Sequence, residues 1–312
     1  MKIQQLEYVI ALDNYRHFAK AAEACGVTQP TLSMMIQKLE EEIDVKIFDR
    51  STFPIAPSPL GQKIIAQARI CLQQFDKVRE IVESEQDRLE GTFNLAIIPT
   101  IAPYIVPELL MLNHSSGSSF ELVIKESTTD QIVESILNGS IDGGLMAGPL
   151  NHPKLKEYPL YYEKFYAYVS AKDSVYGEKE IDLSLIDINS VWLLENVHCF
   201  SGQIQRLCKM KKNAAAHRGS KYEAGSIDTL INIVDYNGGI TVIPEMSTMG
   251  LSEERQENLR PFKGLTAVRE VSLVVSCDYV RERMLAAVMD LVKASVPKSM
   301  QNPGLKEFVV DI

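Results

Sequence analysis

Residues 59–90 read as a single uninterrupted helix, and no other feature limits the chain's architecture so strongly. Ile64, Ala68, Cys71, Phe75, Val78 and Val82 step by four and three in turn, which is the spacing of a heptad seam. The flanks of that seam carry Gln, Lys, Arg and Glu. A helix of this length beside a small domain has no obvious partner in its own chain. Either a second copy covers the seam, or the seam packs on the domain it leaves. Gly91 is expected to end the helix. The 312 residues are thereby divided into 1–58, the helix 59–90, and 91–312.

The first part reads as three short helices and a small wing. Leu6, Val9, Ile10 and Leu12 open an amphipathic helix at period 3.6. Phe18–Cys25 is a second, rich in small residues, which Gly26 stops and Val27 seats. Thr28 is placed to cap a third, with Pro30 tolerated in its first turn because those N–H groups lack intrahelical partners. Leu32, Ile36, Leu39 and Ile43 share its apolar face, while Gln29, Thr31, Ser33, Gln37 and Lys38 face away. This order is that of a helix-turn-helix, whose second helix enters the major groove with short or amide-bearing side chains. A plain three-helix bundle with a solvated polar face fits the pattern equally well. Beyond it, a strand at 45–49, a turn and Pro-flanked Ile55 read as a hairpin wing, with Arg50 a candidate phosphate contact and Pro54, Pro57 and Pro59 barring any central strand.

Charge does not point to nucleic acid. The net charge is −9, and residues 1–65 hold seven basic side chains against eight acidic ones. Phosphate contacts need Lys and Arg, so a DNA-binding face requires local segregation of charge. The triplet Glu40–Glu42 is then expected on the side away from it.

From Thr92 the texture alternates between strand and helix. Strands are expected at 93–98, 120–126, 141–146, 164–170, 191–194, 221–224, 239–243 and 269–276, and helices at 101–113, 130–137, 204–211, 227–236 and 281–293. Such an α/β domain places ligand chemistry at strand C-terminal ends and helix N-termini. Pro99-Thr100 follows the first strand and Thr128-Thr129-Asp130 opens a helix. Each threonine is equally a plain N-cap.

Composition excludes several classes. The first twenty residues interleave charge with apolar residues and lack a signal-peptide core, and no window is apolar enough to span a membrane. The expected location is the cytoplasm, where thiols stay reduced. Five cysteines, Cys25, Cys71, Cys199, Cys208 and Cys277, include no CxxC pair and no His/Cys cluster at zinc-ligand spacing, so neither metal nor cofactor is expected. Cys25, Cys71 and Cys277, in apolar helix or strand contexts, read as packing residues.

The block 6–50 resembles the winged helix-turn-helix of the LysR-type transcriptional regulators. It carries an Ala-Ala pair, then Val-Thr-Gln-Pro-Thr-Leu-Ser at 27–33, Leu39-Glu40 and a closing Arg50. Pro57-Ser58-Pro59-Leu60-Gly61 replaces the family's Thr-x-x-Gly at the start of the linker helix. The resemblance covers essentially the whole chain, with GGITVIPEM at 238–246 fitting the second subdomain of the family's regulatory domain. It implies an α/β, periplasmic-binding-protein-like domain of two subdomains joined by crossing strands. It also implies DNA contacts at Gln29, Pro30, Thr31, Ser33, Gln37, Lys38 and Arg50.

Within the family, LAIIPTIAPYIVP at 95–107 and LLENVHCFSGQIQRLC at 193–208 resemble the branch that senses hydrogen peroxide. That likeness implies Cys199 as the peroxidatic thiol, Cys208 as the resolving one, and His198, Thr100, Thr129 and Arg269 around the peroxide. Ser201-Gly202 stand where the branch has a charged pair. The chemistry is coherent. A thiolate attacks peroxide, a helix N-terminus favours that thiolate, and the sulfenic acid condenses with a nearby thiol. The implied partners are promoter DNA, RNA polymerase, hydrogen peroxide, a glutaredoxin or thioredoxin as reductant, and further copies of the chain as a dimer of dimers. Two rivals predict otherwise. A regulator that binds an organic effector needs no functional cysteine spacing, and a thiol peroxidase needs no residues 1–90.

Overall fold

The computed structural model describes residues 1–85, 89–115, 117, 120–182, 191–194, 203–204, 224–264 and 266–310. Two units divide the chain, one built on residues 1–88 and the other on 89–136 and 141–312.

In the first unit, α1 (Ile3–Tyr15), α2 (Phe18–Ala24) and α3 (Gln29–Glu42) bury one face each. Leu6, Val9, Leu12, Ala21, Leu32, Ile36 and Leu39 make their common core. Full burial of Leu32, Ile36 and Leu39 stabilises the packing by about 2 kcal/mol for each side chain. Between α2 and α3, Gly26 takes φ +65°, a region that only glycine enters without strain. The Val27 N–H then reaches back to the Ala22 carbonyl at 3.0 Å. The Thr28 hydroxyl accepts the Thr31 N–H at 3.4 Å and caps α3, and Pro30 sits in its first turn.

The wing is shorter than the sequence pattern indicates. β1 (Phe48–Asp49) pairs antiparallel with β2 (Ala56–Pro57). Residues 45–47 stay out of the ladder because their polar groups go elsewhere. The Ile47 N–H donates to the Glu40 carboxylate at 2.8 Å, and the Ile47 carbonyl takes the Ser58 N–H at 2.9 Å. The departure from Thr-x-x-Gly is structurally neutral. The Ser58 hydroxyl accepts the Gly61 N–H at 2.9 Å and caps α4 (Pro59–Glu85). Gly61 is required there, since a Cβ would stand 2.0 Å from the Ile47 carbonyl oxygen. Ile65 and Ala68 of α4 enter the core, and Arg69 holds Asp13 at 2.8 Å. Further along the seam, Phe75 and Val78 are 47% and 63% exposed.

In the second unit the strand order is β4-β3-β5-β9-β6-β7, with β8 (Leu259–Arg260) also on β6. β3 (Gly91–Ile97), β4 (Phe120–Glu126) and β5 (Gly143–Gly148) are mutually parallel, linked by α5 (Ala102–Ser115) and α6 (Thr129–Leu137). Gly91, expected to end the long helix, is the first residue of β3. β6 (Leu155–Val169) is the element the sequence pattern under-reads. Nine of its first ten residues pair with β9 (Val268–Ser276), Leu160 being passed over at a register shift, and its last five pair with β7 (Ile240–Pro244). β9 pairs with β5 on its other side. These two long strands therefore join a β3-β4-β5 subdomain to a β7-β8 one. α7 (Ile227–Asn237) lies with the latter, and its core holds Tyr168, Leu194, Ile204, Ala224, Leu230 and Val242.

The strand expected at 191–194 is reduced to isolated bridges, Val191 to Ile240 and Leu194 to Ala224, and of the strand expected at 221–224 only Ala224 lies among the described residues. Of the helix expected at 204–211, only Ile204 falls among the described residues, and it and the preceding Gln203 are helical. Two short helices, α8 (Glu245–Thr248) and α9 (Glu253–Gln256), follow β7 without an advance signal, and α10 (Glu282–Ala294) matches the expected last helix. Among the described residues no helix is long and apolar enough to cross a membrane.

Candidate functional site

Two clusters carry the polar chemistry, one in each unit. On α3, Gln29, Pro30, Gln37 and Lys38 are exposed and Thr31 and Ser33 half-exposed, opposite the buried face. Gln37 Nε2 donates to Glu41 at 2.9 Å, which fixes its side chain along the helix. Glu40 does not join Glu41 and Glu42 on a solvated face. Its side chain is fully buried, and besides Ile47 it accepts the Phe48 N–H at 3.1 Å. Arg50 closes on it at 3.1 Å and stacks on the Phe18 ring, 5.5 Å from the centroid. Lys46 lies 3.8 Å from the same carboxylate. Arg50 is thus already ion-paired, yet its side chain remains 36% exposed and its guanidinium can meet a phosphate.

In the second unit the β3·β4 register opposes Ile97 to Glu126, so the turns after both strands lie side by side. The Ser127 N–H donates to the Ile97 carbonyl at 3.1 Å and ties the two turns. Thr100 and Thr129, each three residues past that pair, are both buried. Arg269, at the start of β9, is wholly buried, and its Nη1 donates to the Thr100 hydroxyl at 2.9 Å. Its Nε donates to Glu163 at 2.9 Å, and its Nη2 makes a second, shorter bond to the same oxygen. Glu163 is the cross-strand partner of Arg269 in the β6·β9 ladder, and it is equally buried.

Tyr104, one turn beyond Thr100 on α5, packs against the core that holds Leu194 and Ile204. Burial, followed by the charge of Asp228, drives its phenol pKa well above the ordinary value. It therefore stays a neutral hydroxyl throughout the physiological range.

Thr100 and Arg269 are brought into direct contact, with Thr129 on the adjacent turn. His198, Cys199 and Cys208 lie outside the described residues. Leu194, just before 195–202, and Ile204, two residues after it, are buried in the same core cluster. Gln203 is buried as well, its Nε2 donating to the Val310 carbonyl at 3.1 Å. Among the other cysteines, Cys25 is half-buried, and burial together with Glu7 pushes its thiol pKa up. Cys71 and Cys277 are exposed. The packing role expected of Cys277 fails because β9 ends at Ser276 and the next residue turns outward. Sequence reasoning also missed Glu163, Tyr104 and Asp228. For Glu163 the one available signal is a lone acid inside the apolar, aromatic run PLYYEKFYAYV.

Residues 3–62 match the bacterial regulatory helix-turn-helix protein of the lysR family, and residues 86–297 match the LysR substrate binding domain. The chain belongs to the LysR family. A hydrogen peroxide-inducible genes activator from Haemophilus influenzae is 28% identical over 298 residues, covering 94% of this chain and 98% of that protein. The HTH-type transcriptional regulator EstR of Acinetobacter baylyi is 30% identical over 245 residues, covering 78% of this chain and 80% of its own length. Full-length OxyR from Pseudomonas aeruginosa shares the fold with a TM-score of 0.78 at 28% identity, covering 94% of this chain and 98% of that one.

As a LysR-family regulator the chain is a DNA-binding transcription regulator, and the relatives it resembles are regulators rather than enzymes. In this family setting, α2, the Gly26 turn and α3 are the helix-turn-helix, and the bundle without DNA function is set aside. The buried cluster of Thr100, Arg269 and Glu163 lies within the LysR substrate binding domain.

Proposed function

We propose that this regulator is OxyR-like, sensing hydrogen peroxide by oxidation of Cys199 and forming a Cys199–Cys208 disulfide to control oxidative-stress genes. The observation that carries the reading is the buried Thr100–Arg269 contact at the strand ends. It is a small, charged, hydrogen-bonding environment suited to a small polar oxidant. His198-Cys199 with Cys208 nine residues on supplies the matching thiols, and the full-length likeness to a peroxide-inducible activator supports the assignment.

In this reading the Cys199 thiolate attacks one peroxide oxygen. The O–O bond breaks, the second oxygen leaves as hydroxide and is protonated to water, and Cys199 becomes a sulfenic acid. The Cys208 thiol then displaces that hydroxyl as water, leaving a disulfide. Thr100, Thr129, His198 and Arg269 surround the peroxide. A dithiol reductant of the glutaredoxin or thioredoxin class takes the disulfide back to two thiols.

Residues 1–58 read promoter DNA through Gln29, Pro30, Thr31, Ser33, Gln37, Lys38 and Arg50. Residues 59–90 dimerise along the seam that leaves Phe75 and Val78 exposed in a single chain. Residues 91–312 form the sensor, dimers pair into tetramers, and the DNA-bound assembly engages RNA polymerase in the cytoplasm. The deciding experiment is thiol alkylation with mass measurement before and after stoichiometric peroxide. Loss of two alkylatable thiols at Cys199 and Cys208 is expected, and retention of both overturns the reading.

A further inference from the structure

We infer that Glu163 is a positioning residue for the peroxide reaction, acting through Arg269 to aim the Thr100 hydroxyl as a hydrogen-bond donor; this rests on the functional reading above. A threonine hydroxyl has one proton to give and two lone pairs to fill, whereas a guanidinium only donates. Arg269 Nη1 donates to Thr100 Oγ1 at 2.9 Å, so that contact takes a lone pair and cannot take the proton. No acceptor for the Thr100 O–H is found among the described residues. Thr100 is 3% exposed, so bulk water does not take that proton and it is left free for a guest. A neighbouring cation also makes that hydroxyl a stronger donor. It thereby suits the peroxide oxygen that gains negative charge as the O–O bond breaks.

Glu163 holds this arrangement. One of its oxygens receives both the Nε and the Nη2 of Arg269, which fixes the guanidinium plane and leaves Nη1 facing Thr100. Its other oxygen accepts the Met246 N–H at 3.2 Å, at the start of α8. The carboxylate is therefore pinned from the β7 side while it orients a group bound to the β3 side. Both charged side chains are fully buried. A buried ion pair is weak evidence for stability, since apolar replacements often do as well, and its better-attested use is to specify geometry. The same strand face carries Tyr161, whose buried hydroxyl has no partner among the described residues. Burial holds that phenol neutral, so it is a second unmatched donor beside the pair.

The test compares two second-order rate constants at Cys199 in the full-length protein, one with hydrogen peroxide and one with iodoacetamide. Alkylation needs the thiolate but no donor to a departing oxygen. For Glu163→Gln the peroxide constant is expected to fall tenfold or more while alkylation stays within twofold. Glu163→Asp, which keeps the charge on a shorter arm, is expected to fall by an intermediate factor with an unchanged melting curve. A parental peroxide rate in either folded variant overturns the inference, and so does a parallel fall in both rate constants, which marks a structural role. If Glu163→Gln does not fold, the Glu163→Asp ratio decides alone. A parent whose Cys199 ignores peroxide overturns the functional reading and this inference together, whereas a reactive parent beside an equally reactive Glu163→Gln overturns the inference only.

Discussion

Each unit buries a glutamate against an arginine, and the two pairs are built differently. Glu40 in the DNA-reading unit has no exposed side-chain surface, but its partner Arg50 keeps 36% of its own. Glu163 and Arg269 in the second unit are both at 0%. Glu40 satisfies two backbone N–H groups of the wing and leaves its cations at the surface, so the fold can keep the carboxylate while Arg50 also meets a phosphate. The Glu163–Arg269 pair has no such freedom. Its cation is held on two sides, by Glu163 through Nε and Nη2 and by the hydroxyl and carbonyl of Thr100, so its role is fixed geometry. The first pair is an adaptable surface device and the second a rigid internal one.

The largest expected effect tests whether sensing and DNA reading are separable. We predict that Cys199→Ser abolishes the transcriptional response to peroxide and leaves DNA affinity within twofold, because serine supplies no thiolate. Cys25→Ser, Cys71→Ser and Cys277→Ser should respond as the parent does. A normal response of Cys199→Ser to low peroxide sinks the assignment.

Next in size is the structural consequence of oxidation. Cys199 and Cys208 are nine positions apart. In a helix rising about 1.5 Å per residue, their Cα atoms would stand roughly 13 Å apart. A disulfide requires about 7 Å or less. We predict that oxidation unwinds much of the segment between them, a change of the order a disulfide closing about ten residues can support, roughly 3 kcal/mol. Ile204, now buried, must then be re-housed. Hydrogen exchange should rise across 200–212 on oxidation and hardly change across 1–58. An oxidised protein in which 203–211 is helical refutes this.

The sequence made some of this architecture readable and concealed the rest for physical reasons. Thr28, Gly26 and the Leu32–Ile36–Leu39 stripe declare α3 because caps and periodicity are local signals. The first half of β6 escapes because its burial follows no alternation, passing from exposed Lys156 and Pro159 to buried Leu160, Tyr161 and Tyr162, and because a register shift falls between Pro159 and Tyr161. β5 is displaced from 141–146 to 143–148. Its first two residues are glycines because a Cβ at Gly144 would stand 2.2 Å from Ile132, a long-range crowding that no window of sequence contains. The Thr100 turn was legible from its place after a strand. Glu163 and Glu40 were not, since a charge in a sequence looks solvated until its partner is found. Arg269 was visible only through family resemblance.

The wing offers a smaller test of the contrast between the two glutamates. We predict that Glu40→Ala destabilises the first unit by about 2–4 kcal/mol, because it strands two buried N–H groups. Arg50→Ala should cost stability about 1 kcal/mol or less, as its exposure screens the pair. Chemical denaturation of the full-length protein, followed by hydrogen exchange in residues 1–58, measures both. Equal losses for the two variants would show that the ion pair, and not the wing's backbone bonds, gives Glu40 its role.

The smallest effects separate reading from holding on the DNA face. Gln29 is exposed at the start of α3, and glutamine can pair bidentately with adenine. We predict that Gln29→Ala relaxes base preference at one operator position, costing roughly 1–3 kcal/mol there and little at others. A phosphate contact from the wing carries no base information, so Arg50→Ala should weaken binding to every sequence alike and reduce the salt slope, by at most about one counterion. Because Glu40 already neutralises part of the Arg50 charge, that reduction should be less than for an unpaired arginine, which is the measurable signature of a cation shared between fold and phosphate. Titrations of matched and scrambled operators over a range of salt resolve the two behaviours. An unchanged salt slope for Arg50→Ala would mean that the arginine belongs wholly to Glu40, and that the surface pair is held no less rigidly than the buried one.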